Sequence, residues 1–122
     1  MSRILVIDDD LDILSVMEIL LSMKGFNVEV TARGENTFPK IESFKPDLIL
    51  LDVLISGYDG RIICKQLKSN EETRHIPVIM FSAHPGAAAT IADYGADDFI
   101  SKPFDVNHLL KKVHEQLGIN NN

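Results

Sequence analysis

The sequence predicts a doubly wound α/β domain, an open parallel sheet of five strands with five helices laid over its two faces. Three observations carry that prediction. Short apolar or β-branched runs recur along the chain, each followed by a longer segment of helical period. The first, third and fourth runs lack polar alternation, as central parallel strands covered on both faces should. Charged or hydroxyl residues stand directly after four of the runs, where ligand chemistry gathers in such sheets.

The strand candidates are residues 3–7 (RILVI), 27–30 (NVEV), 48–51 (LILL), 77–81 (PVIMF) and 98–100 (DFI). The first helix is expected over 11–23, where Ile13, Leu14, Met17, Leu20 and Leu21 keep helical spacing and Gly25 offers a stop. A second helix over 35–44 contains Pro39, which should kink it or delay its start. Asp59-Gly60 opens a third, running to about residue 68. The fourth, over 87–94, is alanine-rich, helical by propensity but with little apolar surface to anchor it. Asp105 reads as the N-cap of the fifth, with Val106, Leu109, Leu110, Val113 and Leu117 as its apolar stripe.

The chain has 122 residues, 45% hydrophobic and 25% charged, so a single globular domain is expected over residues 1–119. The closing asparagines, 120–122, read as a disordered tail. A net charge of −6 without a Lys/Arg run argues against nucleic acid or an anionic membrane surface as a direct partner. The single cysteine, Cys64, cannot form an internal disulfide, and no signal-peptide or membrane-spanning run is present. A cytoplasmic location is therefore expected. With no base placed to activate it, Cys64 reads as a buried or half-buried helix residue.

The strand ends carry the chemistry. Asp8, Asp9 and Asp10 follow the first strand, Asp52 the third, Ser82 the fourth, and Lys102-Pro103 the fifth. Carboxylates brought this close repel one another and raise each other's pKa unless a cation intervenes. A hard divalent ion with oxygen ligands, Mg²⁺ or Mn²⁺, is the natural remedy. Three anions after the first strand repel a resident phosphate cofactor, and no P-loop is present. The set suits a carboxylate that briefly accepts a phosphoryl group, with Lys102 and Ser82 holding the transferred oxygens.

The stretches ILVIDDD, PDLILLDVLISGYDG, PVIMFSA and GADDFISKPF resemble the receiver domain of two-component response regulators, over essentially the whole chain. The spacings match as well: 43 residues from Asp9 to Asp52, 30 from Asp52 to Ser82 and 20 from Ser82 to Lys102. The resemblance implies a flavodoxin-like sheet of order 2-1-3-4-5. It implies that Asp52 accepts a phosphoryl group from a phosphohistidine of a sensor histidine kinase or histidine phosphotransfer protein. Asp8, Asp9, Asp52 and the backbone carbonyl of Leu54 would hold Mg²⁺. Lys102, Ser82 and Phe99 would be the phosphoryl-binding and switch residues, and the bond before Pro103 would be cis. The domain would catalyse only its own phosphorylation and slow dephosphorylation. Its downstream protein partner would meet the face of the fourth helix, fifth strand and fifth helix.

Three features depart from the usual pattern. Ser56 stands where the family usually has proline, Phe99 is often tyrosine or histidine, and the 82–95 segment is about two residues short, so a stunted fourth helix is expected. Leu54 and His84, each two residues past a site residue, are candidates for tuning water access. Asp10 reads as the start of the first helix, and Asp12, Asp97 and Asp98 as solvated or turn residues. The four histidines have no metal-like spacing and read as surface residues. With Met1 at the start and the fifth helix near the end, a stand-alone regulator or phosphorelay shuttle is expected, an excised receiver being the main variant. Two other functions fit less of the chain. One is a small haloacid-dehalogenase-like phosphatase using Asp8 and Asp10; the other is a non-phosphorylated pseudo-receiver.

Overall fold

The computed structural model describes residues 1–84 and 86–119; the expected tail, 120–122, lies outside them. Five strands form the main sheet: β1 (Arg3–Ile7), β2 (Asn27–Thr31), β3 (Leu48–Asp52), β6 (Val78–Ser82) and β7 (Asp98–Ser101). All are parallel, in the order β2-β1-β3-β6-β7. This is the expected 2-1-3-4-5 arrangement, since β4 (Leu54–Ile55) and β5 (Tyr58–Asp59) make a separate antiparallel hairpin. That hairpin is not among the elements expected from the sequence.

Strand side chains alternate between faces, so one sheet feeds two cores. Leu5, Ile7, Ile49, Leu51, Val78 and Met80 point to one side and pack with Ile41, Ile63, Cys64 and Leu67. Those partners come from α2 (Thr37–Phe44) and α3 (Gly60–Ser69). Ile4, Val6, Leu48, Leu50, Ile79 and Phe81 point to the other side, against Leu14, Met17, Leu21, Leu109 and Val113. Those belong to α1 (Leu11–Met23) and α4 (Val106–Leu117). The central strands are covered on both faces, which is why their sequence shows no polar alternation.

Helix boundaries follow local chemistry. Asp10, Asp59 and Asp105 cap α1, α3 and α4, each accepting from an N–H of the first turn. Pro39 falls in the first turn of α2, where no intrahelical donor is required, and a 3₁₀ turn over Gly34–Asn36 precedes it; the start is delayed rather than the helix kinked. The expected fourth helix is replaced by two 3₁₀ turns, Ala87–Ala89 and Ile91–Tyr94, leaving four α-helices among the described residues. Only Ala87 and Ile91 of that segment are buried, so no apolar stripe stabilises a continuous helix. Asp97 and Asp98 are not merely solvated turn residues. Asp97 accepts from Val78 N (2.8 Å) and pairs with Lys68 (2.8 Å), and Asp98 pairs with Lys112 (2.7 Å).

Two glycines set the path of the chain past Asp52. Gly57, at φ +76°, makes the hairpin turn in the left-handed region, with open space where a Cβ would stand. A Cβ on Gly60 would collide with the backbone carbonyl of Asp52. Gly57→Ala should therefore cost about 1 kcal/mol in urea denaturation. Gly60→Ala should cost at least about 3 kcal/mol, because backbone has to move. Equal losses would refute the close approach at Gly60.

Candidate functional site

Because the strands of the main sheet are parallel, their carboxyl ends share one edge. Asp8 follows β1, Asp52 ends β3, Ser82 ends β6 and Lys102 follows β7. The register sets Ile7 beside Leu51, Asp52 beside Phe81 and Ser82 beside Ser101. Lys102 N donates to Ser82 O at 2.9 Å, carrying the ladder one step past the sheet. Residues spread over 94 positions of sequence thus meet at one rim.

The centre of that rim is a buried charge cluster. Lys102 Nζ lies 2.8 Å from Asp8 Oδ2 and 3.3 Å from Asp52 Oδ2. Asp8 is fully buried and Asp52 is 7% exposed. Asp10 N donates to Asp8 Oδ1 at 2.9 Å, and the Phe81 ring lies 4.8 Å from the Lys102 ammonium. Burial, then the charge of Asp8, pushes the Asp52 carboxyl up from 3.8 to about 6, against the opposing pull of Lys102. Burial lowers the Lys102 ammonium, but its bonds to Asp8 and the charge of Asp52 outweigh that and leave it above its ordinary value. One ammonium does not neutralise two buried carboxylates.

A third carboxylate stands at the open side. Asp9 is exposed, its Oδ2 accepts from Ser56 N at 2.9 Å, and one oxygen from each of Asp8, Asp9 and Asp52 falls within 4.8 Å of the others. An all-oxygen, net-negative set of this size suits a hard divalent cation better than zinc or copper, which prefer nitrogen and sulfur. Asp10 is turned away, capping α1 through Asp12 N (2.9 Å) and Ile13 N (3.4 Å).

Ser82 is buried, and its Oγ accepts from His84 N at 3.0 Å, leaving its own proton to be donated. Phe99 is half-buried and packs on the core that holds α2 and α3. The Lys102–Pro103 peptide is cis. Leu54 and His84 are exposed and line a cavity of about 220 Å³ with Val53, Arg61 and Ala87. Cys64 is buried, with its thiol pushed up to about 11 by desolvation. Two contributors were missed in the sequence: the Ser56 N–H and the Phe81 ring. A main-chain amide leaves no signature in a sequence, and Phe81 reads there as ordinary core.

The family model for the response regulator receiver domain matches residues 4–114. The chain belongs to that family. Among curated proteins, the receiver is 39% identical over 119 residues to a DNA-binding dual master transcriptional regulator, RpaA, of Synechocystis. That match covers 96% of this chain and 49% of RpaA, so the chain spans about half the length of that relative. Among solved structures, it superposes with a TM-score of 0.89 on the receiver domain of a signal transduction histidine kinase from Syntrophus aciditrophicus. The two are 30% identical, with 100% of this chain and 95% of that one covered. The receiver domain of NtrX from Brucella abortus gives 0.87 at 29% identity, covering 96% and 99%. No helix among the described residues is long and apolar enough to cross a membrane.

The raised pKa of Asp52 has a consequence for stability. The folded receiver holds this proton more tightly than the unfolded chain, so Asp52 contributes stability below about pH 3.8 that is lost as pH rises through about 6. At pH 7 with chelator present, Asp52→Asn should raise stability on the order of 1–2 kcal/mol, a few degrees in Tm. The gain should shrink between pH 6 and 3.8 in thermal melts. A loss at pH 7 would contradict the cost of burying the charge.

Proposed function

We propose that this receiver takes a phosphoryl group onto Asp52 from a phosphohistidine of a sensor histidine kinase or histidine phosphotransfer protein. The observation that carries the reading is a buried carboxylate at a strand end, kept ionisable by a lysine it shares with Asp8. A carboxylate oxygen of Asp52 attacks phosphorus, the P–N bond to the donor histidine breaks, and the imidazole leaves after taking up a proton. Asp52 must be ionised to attack; burial and Asp8 oppose that form, while Lys102 and a bound cation favour it.

Asp8, Asp9, Asp52 and the Leu54 carbonyl would hold Mg²⁺ or Mn²⁺, which when bound supplies positive charge against the phosphoryl oxygens. Lys102, freed from Asp52 once that carboxylate becomes an acyl phosphate, would turn to the phosphoryl group while keeping Asp8. Ser82 would donate its proton to a phosphoryl oxygen, and Phe99 would move inward behind it, biasing a pre-existing two-state equilibrium. The domain would then act as a cytoplasmic switch of protein contacts that also loses its own phosphoryl group slowly. The output face would lie on the 3₁₀ segment, β7 and α4. DNA binding, named for RpaA, would require sequence beyond these residues.

Acetyl phosphate with Mg²⁺ should give a phosphoryl adduct by intact mass spectrometry, absent in Asp52→Ala and with chelator. Turnover surviving Asp52→Ala would point to a phosphatase, and no adduct at all to a pseudo-receiver. In the phospho-protein, exchanging Leu54 and His84 should change the half-life of the adduct, because each stands two residues past a strand-end site residue, Asp52 or Ser82, and both are exposed. An unchanged decay would remove them from control of water access.

A further inference from the structure

Asp9 stands apart from the other two carboxylates of the cluster. Asp8 and Asp52 are buried and share Lys102, whereas Asp9 is exposed. Repulsion from its neighbours favours swinging an exposed carboxylate out into water, where its charge is cheaply solvated. Opposing that is the hydrogen bond from Ser56 N to Asp9 Oδ2, 2.9 Å long and 47 residues distant in sequence. The bond occupies part of one oxygen; a carboxylate has two oxygens and about four lone-pair sites, so capacity for a cation remains.

The donor is presented by a fixed frame. Ser56 and Gly57 form the two-residue turn between Leu54–Ile55 and Tyr58–Asp59, which pair in antiparallel register. Gly57 has φ +76°, and Ser56 is not among the positive-φ residues, the pattern of a type II turn. The hairpin is tied down beyond the turn as well. Gly60 N donates to Val53 O at 2.7 Å, and Tyr58 packs so closely on Gly34 that a Cβ there would stand 2.6 Å from its ring. Proline is favoured at the first central position of a type II turn. A proline has no N–H. This chain therefore has a donor where a prolyl ring would leave none, and the donor meets a carboxylate of the cluster.

We propose that the Ser56 main-chain amide is a positioning group for the divalent-cation site, holding Asp9 turned in toward Asp8 and Asp52 before the ion arrives. The inference rests on the cation reading given under Proposed function. Groups that orient a metal ligand typically matter by one to two orders of magnitude in affinity. The serine hydroxyl takes no part.

Calorimetric titration of Mg²⁺ into this chain tests this with S56P, S56A, D9A and D9A/S56P. S56P keeps the turn but removes the donor, and should bind Mg²⁺ about tenfold more weakly than wild type. S56A retains the donor and should bind as wild type does. In the D9A background, which has no acceptor for the amide, S56P should add nothing further. Wild-type affinity in S56P, an equal loss in S56A, or a further loss in D9A/S56P would each overturn the inference while leaving the cation reading intact. No heat of binding in wild type would overturn both. Should S56P fail to fold, the amide proton resonance of Ser56 in wild type and D9A decides. It should move upfield in D9A, and an unmoved resonance would overturn the proposal.

Discussion

The interaction on which the rest of the structure depends is the contact of Lys102 with Asp8 and Asp52. Two carboxylates buried side by side would expel one another or take up protons. The ammonium reaches both, at 2.8 and 3.3 Å, and so permits the ends of β1 and β3 to approach. It neutralises one charge out of two, and Asp9 adds a third. Burial, then the charge of Asp8, leaves the Asp52 carboxyl at about 6, and the surplus negative charge suits the site to a cation. A fully neutralised cluster would be more stable and would attract a cation less.

The scaffold serves that contact in two ways. Parallel strands bring all carboxyl ends to one edge, and the two cores fix the strands from both faces. Lys102 reaches the centre because its own backbone continues the β6–β7 ladder through Ser82 O. On the open side, the hairpin after β3 closes over the cluster and lends it a main-chain donor. The rim thus has a rigid wall of strand ends and a thinner wall made from one tight turn.

On the other flank, the segment from residue 87 to 94 shows how local preference yields to packing. Its alanines favour helix, yet it forms two separate 3₁₀ turns. A helix in water needs an apolar face to dock, and only Ala87 and Ile91 supply one here. Conversely, Asp97 and Asp98 look in sequence like loop residues. Each is bound to a lysine from another element, Lys68 of α3 and Lys112 of α4. Such pairings join positions 14 or more residues apart and leave no periodic trace.

The sequence by itself determined the fold class, the strand order through its resemblance, and the identities of the strand-end residues. Those properties rest on period, on apolar runs and on residue type, all of which are local. It also located the α1, α3 and α4 caps, because an aspartate ahead of an amphipathic stretch acts over one turn. Tertiary structure decided the rest: that Lys102 spans two carboxylates, that Phe81 lies beneath its ammonium, and that the loop after Asp52 is a hairpin. It also decided that a backbone amide at Ser56 holds Asp9. Distances between remote groups, and the hydrogen bonds of main-chain atoms that every residue shares, are set by how elements pack.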